Sequence, residues 1–209
     1  MAIKDTYGGT PGAVASYDWQ SLTTGLGYRT YYGASSTDSV GVKYFLTDRA
    51  VASSSGSTTS DTNVYTEFNA GADADIDFDI TFGVPAIIGD GDCYVSIPMN
   101  DPDGASDVTW VINIYHYDGS TETSIGTATS NTINWGGGVQ ARKELIKVSL
   151  SRKKFAIGDI LRLNVIMTNT DVSDVDIYHD PSSGVTLTDV MGRTIGTDLT
   201  FDVPFEVRI

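Results

Sequence analysis

Two histidines, one cysteine and a large surplus of aspartates are the side chains of this sequence best able to do chemistry. His116 and His179 each sit in a Tyr-His context at the end of a strand-like segment, Tyr115-His116-Tyr117-Asp118 and Tyr178-His179-Asp180. A two-histidine metal site would need these distant segments to meet and a third ligand to join them. Rim histidines hydrogen-bonded to neighbouring aspartates are the simpler expectation. Nucleophilic hydrolysis needs a Ser or Cys activated by His, yet no Gly-x-Ser-x-Gly elbow occurs, and Cys93 lies in an apolar strand where a buried structural thiol is expected. Carboxylate pairs of the glycosidase kind are recognised by their separation in space, and the sequence singles out no pair among its aspartates.

Two acidic segments, Gly89-Asp90-Gly91-Asp92 and Asn100-Asp101-Pro102-Asp103-Gly104, offer oxygen ligands of the kind Ca²⁺ takes. Neither matches an EF-hand loop with its terminal Glu, and solvated turns are the expectation, since Asp and Gly serve turns for conformational reasons. The run Gly136-Gly137-Gly138 after Trp135 is followed by no Lys-Ser/Thr and opens no helix, so it reads as a hinge rather than a phosphate cradle. No set of residues is therefore expected to be catalytic, to bind a cofactor or to hold a metal. Two groups of side chains suit recognition instead. The basic cluster Arg142, Lys143, Lys147, Arg152, Lys153 and Lys154 fits either contact with an acidic partner or a solvated strand face. Trp19, Tyr31, Tyr32, Tyr115, Tyr117 and Trp135, read as surface aromatics, fit either stacking on sugars or a subunit interface.

The elements that must position these groups read as strands. Ile76, Phe78, Ile80 and Phe82 share one face of Asp75–Phe82, with polar residues on the other. A one-residue slip there would forfeit burial worth roughly 1.5–3 kcal/mol per side chain. Leu199, Phe201, Val203, Phe205, Val207 and Ile209 repeat the pattern at the C-terminus, where Pro204, having no N–H, predicts an edge or a bulge. Tyr28–Tyr32 and Val40–Leu46 read as neighbouring strands joined by a turn at Gly33-Ala34-Ser35-Ser36. Further strands are predicted at Cys93–Met99, Val108–Tyr117, Glu122–Thr129, Lys143–Leu150, Ile160–Met167 and Val175–Tyr178. No stretch of helical length shows helical spacing, and the crossover helices a parallel α/β fold needs are missing. About a dozen strands with turn signals between them predict an all-β fold, an antiparallel two-sheet β-sandwich of jelly-roll type.

Residues 1–12, small and turn-rich, read as an N-terminal arm ahead of a single β-sandwich domain at 13–209. The low-complexity stretch Ala52–Thr62 reads as a loop inside that domain. At 209 residues with 40% hydrophobic and 10% aromatic content, one domain with a proper core is expected. A formal net charge of −14 predicts no nucleic-acid partner and no anionic membrane. A single cysteine allows no intrachain disulfide. With no apolar leader at the N-terminus and no membrane-length apolar run, synthesis in the cytoplasm is the expectation.

The segments Ser16–Leu22 with Gly27-Tyr28-Arg29-Thr30-Tyr31-Tyr32-Gly33, then Phe155–Leu163, then Asp176-Ile177-Tyr178-His179-Asp180-Pro181, resemble the β-rich virion proteins of tailed viruses. The resemblance is one of style over most of the chain, without a diagnostic motif. It implies a jelly-roll protein displayed on the particle as a capsid decoration or other capsid-associated component. Its partners would be further copies of itself, as a homo-oligomer, and the major capsid protein, and no catalytic residue carries over. A Gly/Ser/Thr-rich sandwich without a leader or disulfides fits release by host lysis. A carbohydrate-binding module of an adhesin or tail fibre fits the same composition, with a surface glycan as partner.

Overall fold

The computed structural model describes residues 26–38, 41–48, 65–68, 74–101, 107–134, 140–169, 175–179, 187–189 and 191–206. The arm 1–12, the loop 52–62, Trp19, Trp135 and the glycine run 136–138 lie outside them. All the regular structure within the described residues is β. The strands are β1 (Leu26–Asp38), β2 (Gly41–Thr47), β3 (Tyr65–Phe68), β4 (Ala74–Thr81), β5 (Ala86–Ile88), β6 (Gly91–Asp101), β7 (Asp107–Tyr117) and β8 (Glu122–Thr129). There follow β9 (Ile133–Asn134), β10 (Gln140–Leu150), β11 (Lys153–Phe155), β12 (Ile160–Asn169), β13 (Val175–Tyr178), β14 (Leu187–Thr188), β15 (Thr194–Ile195) and β16 (Thr200–Glu206).

The expected all-β, mostly antiparallel architecture is present, but the strands join in one continuous 14-stranded sheet, with β14 and β15 forming a small separate pair. Its path runs β3-β13-β6-β16-β1-β2-β4-β12-β7-β8, with β10 on the other side of β6. The parallel bridge Phe45↔Asp79 links β2 to β4 and so joins what would otherwise be two separate sheets. At the far side, Ser151 N donates to Ile125 O at 2.8 Å, bringing β8 back to the end of β10. The sheet thus curls almost into a barrel.

Alternation places the core. In β7, Val108, Trp110, Ile112 and Ile114 are buried while the residues between them are half-buried. Phe78, Val95, Ile97, Val148, Leu163, Val165, Phe201 and Val203 meet them from the other strands as one cluster. Between β7 and β8 the register skips a residue at Ile114/Tyr115, and the extra residue, Ile125, turns into the core. Gly126 then lies so close to β10 that a Cβ there would stand 2.7 Å from Leu150 Cδ2 and 2.9 Å from Ser149 O.

Two local expectations change. Gly33–Ser36 is not a turn but the middle of β1, which pairs with β2 through to Asp38↔Gly41. Glycine suits that interior position, because a Cβ on Gly33 would stand 3.1 Å from Leu199 Cδ2 and 3.2 Å from His179 O. Pro204 is on an interior strand, but at a break in its ladder. β6 pairs with β16 over residues 200–202, β5 takes over at Phe205, and the Pro204 carbonyl accepts from Gly89 N at 3.1 Å. The absent proline N–H faces this hand-over, so no ladder bond is lost.

Because backbone as well as side chain crowds Gly126, Gly126→Ala should destabilise the fold by about 1–3 kcal/mol. A lowered urea midpoint at unchanged slope would show this, and an unshifted midpoint would mean that β8 is free to move off β10.

Candidate ligand-binding face

The outward side chains of β1, β16, β6 and β10 form rows across four strands. Tyr28 stands opposite Pro204, Thr30 opposite Asp202 and Tyr32 opposite Thr200. Asp202 is opposite Tyr94 and Thr200 opposite Ser96. Tyr94 is opposite Lys147, Ser96 opposite Leu145 and Asp92 opposite Ser149. Partners facing one another in an antiparallel ladder point to the same side, so these residues share one surface. On it the Tyr28 and Tyr94 rings lie 6.4 Å apart, tilted by 38°. Leu145 is 64% exposed and Tyr28 39%.

Hydrogen bonds hold this surface in place. The Tyr28 hydroxyl donates to Asp92 O at 3.0 Å, and Thr30 Oγ1 to Asp202 Oδ1 at 2.5 Å. Asp92 accepts from Ser149 Oγ at 2.8 Å and from Lys147 Nζ at 3.2 Å, and these two bonds hold its carboxyl below the usual range. Arg152 grips Glu206 through both Nε and Nη2. Partial burial, then Tyr94 and Asp92, push the Tyr28 pKa up, so its hydroxyl stays protonated at neutral pH.

The opposite wall carries a different outer surface. Asn164 donates to Asp75 and Asp77 at 2.5 and 2.8 Å, accepts from Asn113 at 3.0 Å, and Thr127 donates to Asn113 at 2.7 Å. Beside this ladder, Arg162 makes a two-pronged contact with Asp79 at 2.8 Å and reaches Asp77 at 3.1 Å and Glu122 at 3.0 Å. Three carboxylates thus surround one guanidinium, whose pKa they raise.

The residues singled out for chemistry are dispersed. His116 is buried rather than at a rim, and its aspartate partner is not the neighbouring Asp118 but Asp159, whose Oδ2 is 2.7 Å away; the ring stands edge-on to Phe155 at 4.7 Å. Asp159 also caps Ala156 N at 2.8 Å. His179 is not a rim residue either: it is 1% exposed, with the rings of Tyr44 and Phe78 edge-on at 5.3 and 5.7 Å. His116 is tied through Phe155 to Phe82, and His179 to Phe78. The histidines thus belong to different aromatic groups, His116 with Phe155 and Phe82, His179 with Tyr44 and Phe78. Among the described residues no cluster of three or more His, Cys, Asp or Glu is placed to hold a metal ion. Asp90 accepts from Arg152 N at 2.7 Å, so both aspartates of the Gly89–Asp92 segment are tied to the protein.

Cys93 is fully buried, and burial pushes its thiol up to about 12. Tyr31 is buried as well, contrary to its reading as a surface aromatic, and burial lifts it to about 12. Tyr32, Tyr115 and Tyr117 are half-buried and outward. Tyr28, exposed, and Tyr94, half-buried and outward, are absent from the expected aromatic set and form a ring pair. The alternation of Tyr94 with buried Cys93 and Val95 was its available signal.

The comparisons with known proteins concern the fold. No family model and no curated protein sequence matches the chain. A CocE/NonD family hydrolase from Staphylococcus aureus is similar in structure, with a TM-score of 0.53 at 12% identity, over 87% of this chain and 36% of that one. A second structure of a CocE/NonD family hydrolase from Staphylococcus aureus gives 0.50 at 10% identity, over 86% and 37%. The chain spans little more than a third of those proteins, and the likeness is one of fold alone. A pentameric capsid protein from metagenomic phage sequences aligns at 20% identity with a TM-score of 0.16, too low to carry an argument.

Burial alone lowers His179 to about 4. Its folded pKa lies below the unfolded value, so the unfolded chain takes up the proton first and stability falls as pH drops from about 6.5 to about 4. That loss should be on the order of 3 kcal/mol, and an NMR titration should find the imidazole still neutral at pH 5. A charged ring at that pH would mean an opened core. Cys93 should react with thiol reagents only on unfolding, and rapid native labelling would contradict its burial.

Proposed function

We propose that the protein is a non-enzymatic structural component of a tailed-virus particle, a capsid-associated protein of the decoration kind. It is synthesised in the host cytoplasm and carried on the virion. On this reading the curled sheet is a jelly roll whose two walls correspond to the two sheets of a sandwich.

The observation that supports it is an apolar end on a strongly acidic molecule. The β4–β5 and β11–β12 connections lie side by side, tied by Phe82 N to Asp159 O and Gly158 N to Phe82 O, both 2.9 Å. Their tips present Val84 and Ile157, each 69% exposed. Beside them opens a cavity of about 350 Å³ lined by Pro85, Ala86, Ile87, Lys154, Phe155 and Glu206. Two large aliphatic residues held outward by backbone hydrogen bonds beside such a hollow have the character of a contact surface. Lys154 adds a cation from the basic cluster, suited to an acidic neighbour. The occupant proposed for this end is the major capsid protein.

Mass spectrometry of purified particles should find the protein in many copies. Val84→Asp combined with Ile157→Asp should leave its circular dichroism and thermal midpoint unchanged yet lower its recovery in particles roughly tenfold. If particles never contain the protein, the virion reading fails. If the double variant is incorporated as well as the parent, this end is not the attachment surface.

A further inference from the structure

The Tyr28–Tyr94 face adjoins the apolar end at Glu206, which also lines the cavity there, and differs from the opposite wall in charge. Asp92, Asp202 and Glu206 share it with Lys143, Lys147 and Arg152, and the contacts between Asp92 and Lys147 and between Glu206 and Arg152 are made within the face. On a chain of net charge −14, this patch is balanced, whereas the opposite wall sets three carboxylates around Arg162 and a fourth, Asp75, against Asn164. Two of its three acid–base pairs are closed within the patch and Asp202 is held by Thr30, so the face offers an occupant little net charge. What it offers outward is two phenol rings, the Tyr94 hydroxyl, which bonds to no described residue, and the hydroxyls of Ser96 and Thr200, with Leu145 at the margin.

Phenol rings present an apolar face and a polar rim. A pyranose ring is their counterpart, with C–H bonds above and below the ring and hydroxyls around its edge. We infer that the outer face of β1, β16, β6 and β10 binds a neutral polysaccharide chain, with Tyr28 and Tyr94 stacking on consecutive sugar rings and Asp202, Ser96 and Thr200 meeting their hydroxyls. The 38° tilt between the tyrosines suits a chain whose successive rings are turned relative to one another, as in β-1,4-linked polymers. Preorganisation favours binding: the hydrogen bond from Tyr28 to Asp92 O and the strand register of Tyr94 fix both rings before a sugar arrives, so little conformational entropy is lost.

The test uses the full chain and hexasaccharides of β-1,4-linked glucose, xylose and N-acetylglucosamine in isothermal titration calorimetry. At least one should bind, with an affinity unchanged between low and high salt because no free charge is used. Tyr94→Ala should weaken it by roughly tenfold, while Tyr28→Phe, which keeps the ring, should weaken it less than Tyr28→Ala. Thermal midpoints of the variants, measured alongside, show whether each remains folded. Binding of none of the three sugars, or equal binding by folded Tyr94→Ala, would overturn the inference. So would sedimentation showing that the face is buried between copies and that Tyr94→Ala releases monomers. Particle incorporation is read separately, so failure here leaves the virion proposal standing, and the converse holds too.

Discussion

Among the described residues the long strands each have one apolar face to hide, and they hide it against another stretch of the same sheet. No helix among the described residues covers the core from outside. Curling follows from that constraint, and every later feature depends on the curl being completed. A flat sheet of these strands would leave Phe78, Trp110, Leu163 and Phe201 in water, at roughly 1.5–3 kcal/mol per side chain. Closure is local and demanding. It requires the parallel bridge between β2 and β4, an extra residue at Ile125 and the bare backbone of Gly126 beside β10.

With the inner surface committed to packing, recognition is left to the outside, and the two walls have diverged there. One carries a ladder of amides and carboxylates centred on Asn164 and Arg162. The other carries tyrosines among charges of which two pairs are closed within the face. Exposed ion pairs of this type contribute little to stability, about 0–1 kcal/mol each. Their effect is to fix side-chain positions and to decide which surfaces remain charged toward a partner.

The sequence made the inner surface legible and the outer one mostly not. Period-two patterning at Ile76–Phe82 and Leu199–Phe205 is a statement about burial, and burial is what the fold depends on. It also placed Cys93 correctly. Strands of two or three residues, such as β5, β9 and β11, carry too few alternations to be seen. Gly33 misled because a glycine reads as a turn unless its neighbours in space are known, and Leu199 and the His179 backbone are far from it in sequence. His179 misled in the same way, since the rings that enclose it come from β2 and β4. The tyrosine face was half legible: alternation turns Tyr94 outward, but only the β16 register brings Tyr28 beside it.

The pairing of Leu26 with Glu206 sets the start of the first described strand beside the end of the last. The ladders of the described residues thus begin and end at neighbouring points, and a unit of that kind can be seated in a surface loop of a host protein without disturbing its own pairing. The same geometry governs its response to force. Tension applied at Leu26 and Glu206 would open the β1–β16 pairs one rung at a time, like a zip, rather than shear them together.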